Sequence, residues 1–175
     1  MKEEAKKKKI IFLDIDGVLN SENHFLARYG LKGSSQELNP KHSAGTRIDV
    51  TSVGILNYIV KKTNADIVIS SSWRCHADDV NGNNELQEIL KERGLIKPFI
   101  DVTPFTRDRI RGNEIQIWLD NHKDEVENYV ILDDDSDMLD SQQDNFIQTN
   151  EWYGLTAKDA QKAIEILGNT NTNEG

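Results

Sequence analysis

Short apolar runs that end in polar clusters, alternating with stretches of helical spacing, organise this chain. Ile10-Ile11-Phe12-Leu13 is continuous and stops at Asp14, as a strand buried on both faces does. Ile67-Val68-Ile69 stops in Ser70-Ser71-Ser72-Trp73-Arg74, and Tyr129-Val130-Ile131-Leu132 ends in Asp133-Asp134-Asp135. Phe99–Val102 is a short run before Pro104, and Phe146–Thr149 reads as an edge strand. Four helices are predicted between and after these runs. The first carries Val53, Leu56, Ile59 and Val60 from about Thr51; the second carries Leu86, Ile89 and Leu90 and is capped by Gly94. The third enters at Arg111-Gly112 and carries Ile115, Trp118 and Leu119, and the fourth carries Ala160, Ala163, Ile164 and Leu167. The stretch from Asn20 to about Ile48 holds Gly30, Gly33, Pro40 and Gly45 and reads as polar and irregular.

Strands alternating with helices predict an α/β fold. The expected form is a single doubly wound, Rossmann-like domain with a mostly parallel central sheet, helices on both faces and a minimal insertion. Its limits are read as a charged leader over 1–9, the domain over 10–168 with the insertion at about 20–48, and a flexible tail over 169–175.

Composition narrows the function. The 175 residues carry 30 acidic and 21 basic side chains, a formal charge of −9. That balance speaks against a general binder of nucleic acid or membrane surface, which needs a positive field. An acidic protein that handles phosphate needs a metal ion or arginines to offset its own charge. Lys2–Lys9 holds five lysines and two glutamates, so it stands out as a basic, solvated leader. Cys75 is the single cysteine and has neither a disulfide partner nor zinc-ligand spacing. No membrane span or signal-peptide core is present, so a reducing cytoplasm is the expected address.

Three apolar strands thus end in clusters that carry chemistry. In open parallel sheets ligands bind beyond the carboxyl ends of the strands, so the clusters are expected to converge. Asp14-Ile15-Asp16-Gly17 is the sharpest of them. A calcium loop of the helix–loop–helix kind has a different acidic spacing and no strand leading into it.

Phe12-Leu13-Asp14-Ile15-Asp16-Gly17-Val18-Leu19-Asn20 resembles the first motif of the haloacid-dehalogenase (HAD) superfamily, whose members are mostly magnesium-dependent phosphatases. The serine cluster resembles the second motif, Arg111 occupies the place of the third, and Leu132-Asp133-Asp134 resembles the fourth. Ser-Ser-Ser-Trp-Arg, Arg-Gly-x-Glu-Ile and Leu-Asp-Asp are further similar to a subgroup associated with Swiss army knife RNA-repair proteins. They are similar too to the 3′-phosphatase domain of phage polynucleotide kinases.

The resemblance implies roles that the chemistry explains. Phosphate-monoester hydrolysis is extremely slow, and a carboxylate nucleophile divides it into two easier steps through an aspartyl-phosphate. Asp14 is implied as that nucleophile and Asp16 as general acid, then base. Gly17 allows a tight turn beside them. A Mg²⁺ ion is implied as cofactor, held by Asp14, the backbone carbonyl of Asp16 and Asp134, with Asp133 in support. A serine hydroxyl is expected on the phosphoryl oxygens, with Ser71 the best match, then Ser72, and Ser70 after them. Arg74 is expected either to grip the phosphate or to form a surface ion pair. Arg111 is expected to neutralise the phosphoryl group from a helix start, with Arg107 and Arg109 as nearby alternatives. Trp73 reads as packing rather than base stacking, and Asp135 and Asp137 as solvated or capping.

The short insertion implies an open site that suits a polynucleotide 3′ end, RNA or DNA. His24, Lys41, His42 and Arg47 could track a nucleic-acid backbone or equally lie in a solvated loop. The expected function is therefore a Mg²⁺-dependent phosphomonoesterase of nucleic-acid repair. A small-molecule (nucleotide) phosphatase and an inactive phosphate- or partner-binding module are the competing readings.

Overall fold

Residues of one short strand, Ile10 to Leu13, are completely buried and set the centre of the molecule. They belong to β1 (Lys8–Leu13), which pairs in parallel with β2 (Asp66–Ile69) on one side and β4 (Val126–Asp133) on the other. β3 (Phe99–Val102) and β5 (Phe146–Gln148) complete a five-stranded parallel sheet in the order β3-β2-β1-β4-β5. The computed structural model describes residues 6–29, 47–77 and 84–169. β1 starts at Lys8, two residues inside the expected leader.

Alternation along the strands divides the core in two. Ile11, Leu13, Ile67, Ile69, Val130 and Leu132 face one side. There they meet α2 (Val50–Thr63), α3 (Glu85–Glu92) and α5 (Ala157–Gly168). Ile10, Phe12, Val68 and Ile131 face the other side, where Ile115 and Trp118 of α4 (Arg111–Asn121) cover them. Each fully buried Ile, Leu or Phe contributes about 1.5–3 kcal/mol relative to exposure.

Helix ends follow local chemistry. Asp49 caps α2 by accepting from the Thr51 N–H, and Asn64 ends it in a left-handed conformation with φ 56°. Thr156 and Asp159 form a reciprocal capping box at the start of α5. α4 has no capping side chain of its own; Asp137, from the far side of β4, accepts from the Arg111 N–H at 2.8 Å instead. That cap ties the start of α4 to the end of β4.

One expectation is corrected. The segment after Asn20 is not irregular throughout, because Glu22–Tyr29 forms a helix, α1. Ser21 starts it, accepting from the His24 N–H through its hydroxyl and from the Phe25 N–H through its carbonyl. With polar Glu22, Asn23, His24 and Arg28 around Phe25 and Leu26, its apolar stripe is too narrow to register as a period. Residues 30–46, with Lys41 and His42, lie outside the described residues. His24 lies 3.8 Å from Asp49, and Arg47 is exposed.

Strand register brings the ends of β1, β2 and β4 level. Leu13 stands beside Ile69 on one side and Leu132 on the other. Pairing runs one residue further at each end, with Asp14 N–H donating to Leu132 and Ser70 N–H donating to Leu13. The order of connections reverses between β1 and β4, which opens a crevice there at the carboxyl ends.

Candidate active site

The residues that end β1 and β4 face each other across that crevice. Asp14, Asp133 and Asp134 each bring one carboxylate oxygen to within 4.8 Å of the others. Arg111, the first residue of α4, reaches over them: its Nη2 lies 3.9 Å from Asp14 Oδ1 and its Nε 3.3 Å from Asp133 Oδ2. Arg107 and Arg109 are both exposed, so α4 carries Arg111 alone of the three into the centre.

Gly17 makes this closeness possible. Its φ is +67°, and a Cβ there would stand 2.3 Å from the Asp134 carboxyl carbon. Gly112 does the same for Arg111, because a Cβ on it would stand 2.6 Å from the Leu139 backbone nitrogen.

Burial makes the carboxylates expensive to ionise together. It pushes Asp14 up from 3.8 to about 6, against the pull of Arg111 and of a hydrogen bond from Ser71. Asp133 rises to about 8, first through burial and then through the charge of Asp14, with Arg111 again opposing. Asp134 is also raised, by burial and by Asp135. A divalent cation would reverse this by favouring the ionised forms.

The donor set fits such an ion. Three hard anionic oxygens suit Mg²⁺, and Asp133 Oδ2 is buried with no hydrogen-bond partner among the described residues. Arg111 Nη1 is buried and unpartnered there too. Asp14, Asp134 and Asp133 are the side chains that would hold it. The Asp16 carboxylate is turned elsewhere: Oδ1 accepts from Asn20 at 2.7 Å and Oδ2 from the Trp73 indole at 3.0 Å. What Asp16 retains for a metal is its backbone carbonyl.

Among the serines, Ser71 is buried and hydrogen-bonds Asp14. Ser70 accepts from the Thr103 hydroxyl instead, and Ser72 is exposed at the start of a 3₁₀ turn. Arg74 does not form a surface pair. It is buried, with Nη2 2.6 Å from Glu114 and Nη1 on Thr103, and its guanidinium lies 3.8 Å under the Phe105 ring. Among the described residues its Nε has no hydrogen-bond partner and is open to the phosphate contact expected of it. Trp73 packs in the core, as expected, and also reaches Asp16. Asp137 acts as a cap, in line with its reading.

Sequence reading gave no role to Thr103 or Thr149, nor to Glu114 and Asn20, although both lie in the motifs it singled out. Glu114 could have been found, because it sits on the buried face of α4 next to Ile115, where an unpaired carboxylate is untenable. Thr149 donates to the Gly17 carbonyl from beyond β5, which no local pattern announces.

At the switch point of this doubly wound α/β domain, three carboxylates that could hold a divalent cation stand beneath a partly buried arginine. Over residues 10–160 the sequence matches the family described as the HAD domain in Swiss Army Knife RNA repair proteins, and the chain belongs to that family. That membership suggests a phosphatase. No curated protein matches the chain. Among the described residues, no helix is long and apolar enough to cross a membrane.

Proposed function

We propose that this protein is a Mg²⁺-dependent phosphomonoesterase that removes phosphate from polynucleotide 3′ ends through an aspartyl-phosphate on Asp14. The observation that carries the reading is the meeting of Asp14, Asp133 and Asp134 within 4.8 Å beneath Arg111. Mg²⁺ would supply charge neutralisation between the nucleophile and the phosphoryl oxygens.

The protein's own residues then divide the work. Asp14 attacks phosphorus, the bond to the leaving oxygen breaks, and Asp16 gives that oxygen its proton. Arg111 Nη1, without another partner among the described residues, takes a phosphoryl oxygen from one side. The Ser71 hydroxyl, whose one proton goes to Asp14 in the free site, would turn that proton to a second phosphoryl oxygen. A water next attacks the aspartyl-phosphate while Asp16 takes its proton. The bond from phosphorus to Asp14 breaks, which frees phosphate and restores the carboxylate.

Two facts support a polynucleotide substrate. The family is described as the HAD domain of RNA-repair proteins, and the short connection from Asp134 to β5, closed by a 3₁₀ helix over Asp140–Asn145, leaves no room for an inserted domain that would cover the site. The net charge of −9 favours the competing reading, a nucleotide phosphatase.

The test compares kcat/KM for a 3′-phosphorylated oligonucleotide with that for nucleoside monophosphates, with and without Mg²⁺ and across salt. The repair reading expects the oligonucleotide to win and its advantage to shrink as salt rises. Equal or better turnover of mononucleotides selects the nucleotide phosphatase. No turnover of any ester with Mg²⁺ leaves a binding module.

A further inference from the structure

Asp16 is an exposed carboxylate on the turn between β1 and α1, yet both of its oxygens are held. The two donors differ in origin. Asn20 is local: it lies four residues on, is 1% exposed, and also accepts from the Gly17 N–H at 2.9 Å. Trp73 comes from the loop after β2, 57 residues away in sequence. Its indole is 9% exposed and packs in the larger core cluster, so the N–H is offered from a fixed plane. Its backbone N–H donates to the Ser71 hydroxyl at 3.3 Å, and Ser71 in turn hydrogen-bonds Asp14. One continuous set of contacts therefore runs from Asp14 through Ser71 and Trp73 to Asp16.

An exposed aspartate without such partners spreads over several rotamers. Proton transfer to a leaving oxygen needs one of them, and misplacement by about 1 Å can cost about 100-fold. We propose that Trp73 is a positioning residue: its indole N–H fixes the plane of the Asp16 carboxyl for proton transfer to the leaving oxygen. This rests on the phosphatase reading and on the role given there to Asp16. It assigns Trp73 a second duty beside packing, carried by one hydrogen atom. Expulsion of an alkoxide, such as a ribose oxygen, needs that proton. Expulsion of a nitrophenolate hardly does. The contribution of Trp73 to this first step must therefore depend on the leaving group, whereas the later attack of water is common to both esters.

The experiment replaces Trp73 with β-(3-benzothienyl)alanine, which keeps the ring shape and exchanges N–H for sulfur, and in parallel makes Trp73→Phe. Both are assayed on a 3′-phosphorylated oligonucleotide and on 4-nitrophenyl phosphate. The expected result is a fall in kcat/KM, which covers only the steps through departure of the leaving group, of about 10–100-fold on the oligonucleotide, with a loss on the aryl ester about 10 times smaller. Equal losses on both esters, or none on either, overturn the proposal. A second measurement needs no turnover. The Trp73 indole N–H resonance, identified by its disappearance in Trp73→Phe, should move in Asp16→Ala while those of Trp118 and Trp152 stay. A resonance that does not move overturns the hydrogen bond itself. A wild-type protein that hydrolyses neither ester with Mg²⁺ defeats the phosphatase reading and this proposal together. A leaving-group-independent loss defeats this proposal alone.

Discussion

Two arginines stand beside buried carboxylates at the same end of the sheet, and they are finished differently. Arg74 and Glu114 are closed on each other at 2.6 Å, with the second Glu114 oxygen accepting from the Thr106 N–H and Arg74 also bonded to Thr103. Arg111 stays at 3.9 Å from Asp14 and 3.3 Å from Asp133. Nη1 of Arg111 and Oδ2 of Asp133 both lack hydrogen-bond partners among the described residues, whereas at the closed pair only Arg74 Nε does and both Glu114 oxygens are satisfied. A buried polar atom without a hydrogen-bond partner is costly, and selection for stability alone would remove it. The closed pair is what a structural ion pair looks like. The open set is an arrangement that, on the proposed function, a cation and an anion would complete.

That contrast can be broken most directly at Asp14. Asp14→Asn should lower hydrolysis by about 10³-fold or more. Without metal it should also raise the melting temperature at pH 8, since one of three crowded carboxylates is gone. A melting temperature that falls instead would mean the cluster is not strained.

Stability should respond in the opposite way at the closed pair. Arg74→Met or Glu114→Gln should destabilise by about 3–5 kcal/mol in urea melts, because each strands a buried partner. The double variant Arg74→Met/Glu114→Leu should recover much of that loss. Arg111→Met should lower kcat by about 10²–10³-fold and move the urea midpoint far less than Arg74→Met does. If the two arginines cost the same stability, the distinction between them fails.

The pH dependence is subtler. Asp14 and Asp133 hold protons more tightly folded than unfolded, with values raised from 3.8 to about 6 and about 8. Their contribution to stability is complete below about pH 4 and is lost as pH rises through 6 and then 8. Metal-free protein should therefore show a falling contribution from pH 5 to 8, and Mg²⁺ should flatten it, as thermal melts across pH would reveal. The smallest effect belongs to the far edge of the molecule. Lys8 and Glu125 are 3.7 Å apart and roughly half exposed, so Lys8→Ala should change stability by no more than about 0.5 kcal/mol.

Much of the fold was legible because its strands are short, unbroken apolar runs closed by polar clusters. Ile10–Leu13, Ile67–Ile69 and Tyr129–Leu132 needed only that pattern, and α2 to α5 needed only their spacing. α1 was not legible, since its start depends on a single serine hydroxyl and its stripe is narrow. The acidic residues of the site could be read because they lie within a few residues of strand ends. The partner of Arg74 could not, as Glu114 lies 40 residues away and meets it only when α4 packs on the sheet.

By itself, then, the sequence determined the alternating α/β order, the acidic clusters and the family resemblance they carry. These are local properties, written in periodicity and in residues next to strand ends. The tertiary structure alone decided which arginine stays open and which is closed. It also decided that Ser71 faces Asp14, and that the indole of Trp73 reaches Asp16. Those outcomes depend on strand register and on how α4 and the turn after β2 approach β1. Register is set by the whole sheet at once, and no single segment contains it.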